Sequence, residues 1–169
     1  PPLPLPSPAS AHTLSLVTFA QWTEVLAQPL PPADLPVARG LVHYARGVAY
    51  AAKGRYAEAE LELGWVKGDQ ARLPEGEGRT VLGIAALALQ GEIALRRGDA
   101  AAAVAHFRAA SDIEDGILYN EPPFWYYPMR MSLGQALLAA GQPAEAQREY
   151  ERNLALYPEN VWGLAGLRN

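Results

Sequence analysis

At 169 residues, half of them hydrophobic, the chain is long enough to bury a core of ordinary domain size. Its net charge of −4 comes from 14 basic and 18 acidic residues scattered along the chain, which argues against an electrostatic surface for nucleic acid. The absence of cysteine excludes disulfides, thiolate metal sites and cysteine nucleophiles, and no apolar run approaches the roughly 20 residues needed to span a bilayer.

The first nine residues, PPLPLPSPA, alternate proline with small or apolar residues. This composition predicts an extended tail or linker at 1–9, because proline cannot continue a helix. The segment also lacks the basic region and the unbroken apolar stretch of an intact signal peptide. The compartment therefore stays open between the cytoplasm and, if a signal peptide has been removed, the periplasm.

From Ser10 onward the apolar residues recur with the period of a helix, and no alternating strand pattern occurs. Asp34 and Asp99 are predicted to cap two of the helices, and Pro36 lies in the first turn after Asp34. The predicted helices cover 10–19, 22–28, 35–53, 56–66, 80–97, 100–112, 124–140, 144–156 and 159–167. The two long segments between them, 67–78 and 115–123, are predicted to be connectors, the first an exposed loop rich in glycine and charge.

Four turn residues, Ala20, Gly54, Gly98 and Gly141, follow one another at separations of 34, 44 and 43 residues. These separations indicate a repeat of roughly 34 residues that is lengthened in two places by about nine or ten residues. The two lengthened places coincide with the two connectors. The chain is therefore predicted to consist of repeated helical hairpins.

Packing residues recur at fixed distances around these turns. A small residue lies seven positions before three of the turns, at Gly47, Gly91 and Gly134. Alanine lies five positions after each of these turns, at Ala59, Ala103 and Ala146. A larger residue lies nine positions after each turn, at Leu63, Phe107 and Tyr150. Small residues at facing positions allow two helices to approach closely, and the larger residue fills the space beside them.

These residues resemble the tetratricopeptide repeat, a 34-residue helix–turn–helix with small, alanine, aromatic and proline residues at fixed positions. The third copy matches this pattern through Gly134, Ala146, Tyr150 and Pro158. The segment 121–160 is similar to the C-terminal part of larger bacterial tetratricopeptide proteins. The resemblance implies an all-α fold, a right-handed α-solenoid of antiparallel helical hairpins without a β-sheet.

The resemblance covers most of 10–169, which is predicted to be one repeat domain after the tail. Its predicted parts are a partial hairpin at 10–28, repeats at about 36–73, 80–117 and 124–158, and a partial terminal helix at 159–169.

The family binds extended peptides or partner helices in a concave groove lined by the first helix of each hairpin. Carried over to this sequence, the groove-lining residues would be Tyr44, Val48, Glu92, Leu95, Arg96, Met131, Gln135 and Leu138. The implied function is a protein-interaction module or scaffold that binds a protein or peptide partner in this groove.

Two other functions stay open. The chain could be a structural C-terminal part of a larger repeat protein, supporting its other repeats or self-associating through exposed terminal hairpins. It could also hold a small molecule or a metal in a pocket under its aromatic connector, the aromatic run at 124–127 that follows the connector 115–123. Within that connector, Trp125, Tyr126 and Tyr127 form either an aromatic platform for a partner or a clamp that pins the connector to the solenoid.

No catalytic site, metal site or cofactor is predicted. The three histidines lie in different hairpins, and none has a carboxylate at the spacing of a metal ligand pair. The acidic residues Asp112, Glu114 and Asp115 lack the spacing of a calcium loop and are predicted to form a solvated helix end. An enzyme is therefore not expected.

Overall fold

The computed structural model describes residues 8–117, 125–158 and 160–167, except for the side chains of Pro8, Ala9 and Trp162. Within these ranges the chain forms α-helices and no β-strand, which confirms the predicted all-α class. The helices are α1 (Pro8–Thr18), α2 (Trp22–Ala27), α3 (Pro36–Ala52), α4 (Tyr56–Ala71), α5 (Glu77–Arg96), α6 (Ala100–Asp115), α7 (Met129–Ala139), α8 (Pro143–Leu156) and α9 (Val161–Gly166). The predicted tail lies outside the described residues except for Pro8 and Ala9, which begin α1.

Consecutive helices pack as hairpins, α3 with α4, α5 with α6, and α7 with α8. The hairpins also stack, since α5 packs against α3 and α4, and α7 packs mainly against α6. At the two ends of the stack, α1 and α2 contact α3, while α9 contacts α7 and α8. The first helices α3 and α5 therefore pack against each other, whereas α7 joins the stack mainly through α6.

The turn residues of the hairpins share a left-handed backbone conformation. The φ angles are 54° at Ala20, 73° at Gly54, 83° at Gly98 and 73° at Gly141. Glycine adopts this conformation without the steric cost that a Cβ imposes, so Ala20 is strained where the other three are not. The shared geometry agrees with the alignment of the four turns that the sequence predicts.

Glycines on the first helices provide the close approach between helices. A Cβ on Gly91 would lie 2.7 Å from Cε1 of Phe107, and a Cβ on Gly134 would collide with the ring of Tyr150. Both contacts join the two helices of one hairpin. Gly47 differs, because its added Cβ would collide with Leu89 of the following hairpin.

The predicted exposed loop at 67–78 is wrong over most of its length, because α4 continues to Ala71 and α5 begins at Glu77. Within this extra turn Asp69 is buried, and its carboxylate lies 3.5 Å from a guanidinium nitrogen of Arg72 and 3.8 Å from one of Arg39. The local composition does not indicate this burial.

Two capping predictions have different outcomes. The carboxylate of Asp99 accepts a hydrogen bond from the backbone N–H of Ala102 at 3.0 Å, which confirms it as the cap of α6. Asp34 does not cap α3, whose N-cap residue is Leu35 and makes no side-chain hydrogen bond. Pro36 occupies the first turn of α3, where a missing N–H costs nothing.

The start of α7 lies at Met129 rather than at 124, and the connector residues 118–124 lie outside the described residues. The backbone N–H of Met129 donates a hydrogen bond to the carboxylate of Glu114 at 2.8 Å. Asp115 forms an ion pair with Arg130 of α7. The prediction of a merely solvated acidic helix end is therefore wrong, because two of its carboxylates hold α6 against α7.

Among the described residues, the 20-residue helix α5 is the one helix long and apolar enough to cross a membrane. About half of its apolar stretch is buried inside the protein. A core helix of a packed stack meets the same criteria, so this composition is weak evidence for a membrane span. The packing of α5 against α3, α4 and α6 accounts for its apolar residues.

Candidate functional site

A cleft of about 260 Å³ opens where the first helices of the hairpins meet the N-terminal helices. Its walls come from α1, α2, α3, α5, α7 and the connector before α7. The lining residues are Val17, Thr18, Ala20, Trp22, Tyr44, Val48, Glu92, Arg96, Tyr126, Tyr127, Met129, Ser132 and Gln135. The cleft thus combines aromatic rings and aliphatic side chains with one acidic and one basic side chain.

The structure brings together five of the eight residues predicted to line a groove. These are Tyr44 and Val48 of α3, Glu92 and Arg96 of α5, and Gln135 of α7. The other three lie outside the cleft. Met131 is buried in the core, and Leu95 and Leu138 are partly buried against the same apolar cluster.

The aromatic connector contacts the first hairpin directly. Trp125 is buried and packs edge-on against Tyr44, with 5.2 Å between the ring centroids. The hydroxyl groups of Tyr44 and Tyr126 lie 3.1 Å apart and form a hydrogen bond. Trp125 therefore joins the core, whereas Tyr126 and Tyr127 are half-buried and line the cleft.

The charged pair of the cleft is formed within α5. The Nε of Arg96 donates a hydrogen bond to Oε2 of Glu92 at 3.1 Å. The guanidinium carbon of Arg96 also lies 6.0 Å from the ring centroid of Trp22, at the outer limit of a cation–π contact. The Glu92 side chain is 19% exposed and that of Arg96 is 37% exposed, so the carboxylate lies deeper than the guanidinium.

Burial is the largest cause of the pKa shifts of the cleft residues. It raises the pKa of Glu92 despite the opposing effect of the charge of Arg96 and its hydrogen bond. Burial likewise raises the pKa of Tyr44 well above its usual value and that of Tyr127 to about 12. The negative charge of Glu92 contributes to both of these shifts and to the raised pKa of Tyr126.

Sequence reasoning assigns no lining residue to the N-terminal helices, yet Val17, Thr18, Ala20 and Trp22 form one wall. The turn at Ala20 identifies the truncated hairpin and places Trp22 at the start of α2. The same signal could have placed Trp22 beside the groove. It could not have indicated the approach of Tyr126, because the connector follows no repeat pattern.

A second polar cluster lies between α3 and α4, outside the cleft. Nδ1 of the buried His43 is 2.6 Å from a carboxylate oxygen of Glu62, whose other oxygen accepts a hydrogen bond from Nε of Arg46 at 3.0 Å. The His43 ring stacks on Trp65 at 5.8 Å between centroids. Groups of three or more potential metal ligands are absent from the part of the chain that the structure describes.

Comparison with known families supports the repeat assignment. Residues 40–60, 84–109 and 130–152 match a family model described as tetratricopeptide repeat. The three matched segments fall on the hairpins α3–α4, α5–α6 and α7–α8. Comparison with curated proteins and with solved structures gave no match.

Proposed function

Because this chain is a tetratricopeptide repeat protein, we propose that it is a protein-interaction module that binds a partner segment in the cleft beside α3, α5 and α7. Tetratricopeptide repeats generally mediate protein–protein interaction or scaffolding, and the family is typically non-enzymatic. The partner we propose is a protein or peptide.

The observation that carries this proposal is the convergence of residues from all three hairpins on one cleft. Tyr44, Arg96 and Gln135 belong to three successive repeats and line the same space. A surface assembled from several repeats suits a ligand that extends across them. The side chains of Arg96 and Gln135 are exposed at this surface, where a partner can reach them.

The size of the cleft favours a partner side chain over a whole small molecule. Its volume of about 260 Å³ is below the roughly 300–1,000 Å³ of typical small-molecule pockets. Aromatic residues in its lining, such as Trp22 and Tyr126, are of the types that contribute most to protein interfaces. These features support a segment that lies along the first helices and inserts one side chain into the cleft.

The test blocks the cleft without disturbing the fold. The variant Gln135→Trp places a bulky ring at an exposed lining position, and Gln147→Trp makes the same change on the exposed face of α8. A phage-displayed library of random peptides is panned against the parent chain, and the affinities of enriched peptides are measured by fluorescence anisotropy. We expect Gln135→Trp to weaken them about tenfold or more and Gln147→Trp to leave them unchanged.

The outcome that overturns the proposal is equal binding of the enriched peptides by the parent chain and by Gln135→Trp. Circular dichroism of both variants checks that helicity is preserved. Enriched peptides that lose affinity for Gln147→Trp instead would place the binding surface on α8.

Self-association is a second candidate function, favoured by exposed apolar side chains at the C-terminal end of the stack. Leu156, Val161, Leu164 and Leu167 are 66%, 65%, 48% and 40% exposed. Exposed apolar side chains on neighbouring helices are candidates for an interaction surface. Sedimentation equilibrium of the parent chain and of the variant Val161→Lys with Leu164→Lys tests this candidate, because the double variant should lower the apparent mass if this end mediates association.

A further inference from the structure

We propose that the cleft accepts a cationic side chain, Lys or Arg, from the partner segment, with Glu92 as the counter-charge and aromatic rings as the walls. This inference rests on the proposed function and specifies the chemistry of the partner. It predicts that the partner presents a positive charge at the end of a long aliphatic stem.

The electrostatics of the lining favour a cation. Glu92 and Arg96 are the charged residues among those that line the cleft. The carboxylate lies deeper than the guanidinium and retains a raised pKa because burial outweighs the attraction of Arg96. A partly buried carboxylate is stabilised by a further positive group that reaches it. An anionic partner group would meet repulsion at the same depth.

The aromatic walls favour the same class of ligand. Cations are attracted to the faces of Trp and Tyr rings at centroid distances of up to about 6 Å. The chain's own Arg96 already lies at that distance from Trp22. Tyr44 and Tyr126 line the same cleft, and a phenolic oxygen can accept a hydrogen bond from an ammonium or guanidinium group. The cleft thus already holds one guanidinium group from within the chain.

The apolar part of the lining suits the stem of a long basic side chain. Val17, Val48 and Met129 are aliphatic members of this lining. Lys and Arg bury their methylene stems against such surface while the charged head reaches a polar partner. A cleft of about 260 Å³ accommodates one side chain of this length.

Arg96 must yield part of its interaction with Glu92 when the partner's cation enters. The pair joins residues four apart on one helix, and its guanidinium is 37% exposed. Because the guanidinium side of the pair is open to solvent, water weakens its interaction with the carboxylate. The partner's cation therefore competes with Arg96 for the carboxylate, and removal of Arg96 should strengthen binding of a basic partner.

The test uses four pools of 12-residue fluorescent peptides whose flanking positions are randomised among neutral residues. The central residue is fixed as Lys, Arg, Met or Glu, and binding to the full chain is measured by fluorescence anisotropy. We expect the Lys and Arg pools to bind the parent chain at least about tenfold more tightly than the Met and Glu pools. Glu92→Gln should abolish this preference, and Arg96→Gln should bind the Lys and Arg pools more tightly than the parent chain does.

The control is Glu151→Gln, which removes a carboxylate from the exposed face of α8 and should leave the preference intact. Thermal melts check that each variant folds, and Arg96→Gln tests the inference independently if Glu92→Gln does not fold. If the parent chain binds the Met, Lys and Arg pools equally, the cationic inference is overturned. If Gln135→Trp also loses binding of all three pools, the proposed function still holds. If the parent chain prefers the Glu pool and Arg96→Gln loses this preference, the cationic inference is overturned in favour of an anionic partner. Absence of binding by every pool overturns both.

Discussion

The hydroxyl groups of Tyr44 and Tyr126 lie 3.1 Å apart, although 82 residues separate them in the sequence. Tyr44 belongs to α3 of the first hairpin, and Tyr126 to the connector that precedes the third. Trp125, the neighbour of Tyr126, packs against the same Tyr44 ring. The connector therefore ties the third hairpin to the first and supplies one wall of the cleft.

This tie should contribute to stability through apolar burial more than through its hydrogen bond. Trp125→Ala is expected to lower the free energy of unfolding by about 3–5 kcal/mol, because it leaves a large cavity beside Tyr44. Tyr126→Phe keeps the ring and removes one hydroxyl, and should cost about 0.5–1.5 kcal/mol. Urea unfolding monitored by circular dichroism measures both. Tyr157→Phe, at an exposed tyrosine, is the matched control and should cost nothing measurable; equal effects of the three variants would contradict this account of the connector.

Relief of the strained turn at Ala20 should stabilise the protein. A φ of 54° costs a residue with a Cβ roughly 1–2 kcal/mol, which glycine avoids. Glycine also has greater freedom in the unfolded chain, and this offsets part of the gain. We therefore expect Ala20→Gly to raise the free energy of unfolding by about 0.5–1 kcal/mol. Gly54→Ala makes the reverse change at the equivalent turn, where φ is 73°, and should destabilise. Chemical denaturation distinguishes the two signs, and a loss of stability in Ala20→Gly would be inconsistent with a strained turn.

Two glycines within helices should respond to the same substitution in opposite directions. Gly134→Ala brings a Cβ into the ring of the buried Tyr150, and we expect a loss of about 1–3 kcal/mol from overpacking. Gly64 of α4 is exposed, and a Cβ added to it would point into open space. Gly64→Ala should therefore gain about 0.8–1 kcal/mol from helix propensity alone. Thermal and urea unfolding of the pair provide the measurement; a gain from both substitutions would mean that α7 and α8 are not closely packed at Gly134.

The Glu114 carboxyl predicts a pH dependence of stability. Burial first, and then the nearby charge of Asp115, raises its pKa from 4.5 to about 7, against the opposing hydrogen bond from Met129 and the charge of Arg130. Between these two values the folded state binds more protons at this group than the unfolded state does. Its contribution to the free energy of unfolding therefore falls as pH rises from about 4.5 to about 7 and is constant above that.

Replacement of Glu114 by glutamine isolates this effect, since the amide oxygen can still accept the hydrogen bond from the Met129 N–H. The free energy of unfolding of Glu114→Gln minus that of the parent chain should be larger at about pH 8 than at about pH 5. Urea unfolding of both proteins at the two pH values provides the comparison, with the exposed Glu151→Gln as control. A difference between parent and variant that does not change with pH would contradict the raised pKa.

Local regularities account for what could be predicted from the sequence. The helical period and the turns at Gly54, Gly98 and Gly141 depend on contacts between residues a few positions apart, so they can be recognised without knowing the packing. The same is true of the cap at Asp99. The wrong prediction at 67–78 has the opposite origin. Glycine and charge usually mark a loop, but here α4 continues and buries Asp69 beside Arg39 of α3, a contact between distant parts of the chain.

The candidate site divides in the same way. The repeat register alone places Tyr44, Arg96 and Gln135 on the first helices of three hairpins, because each residue is located by its distance from the turn. Only the tertiary structure decided that Tyr126 lines the same cleft. Tyr126 belongs to a connector, where no period applies. Its position follows from the burial of Trp125 against Tyr44, a contact that sequence spacing does not encode.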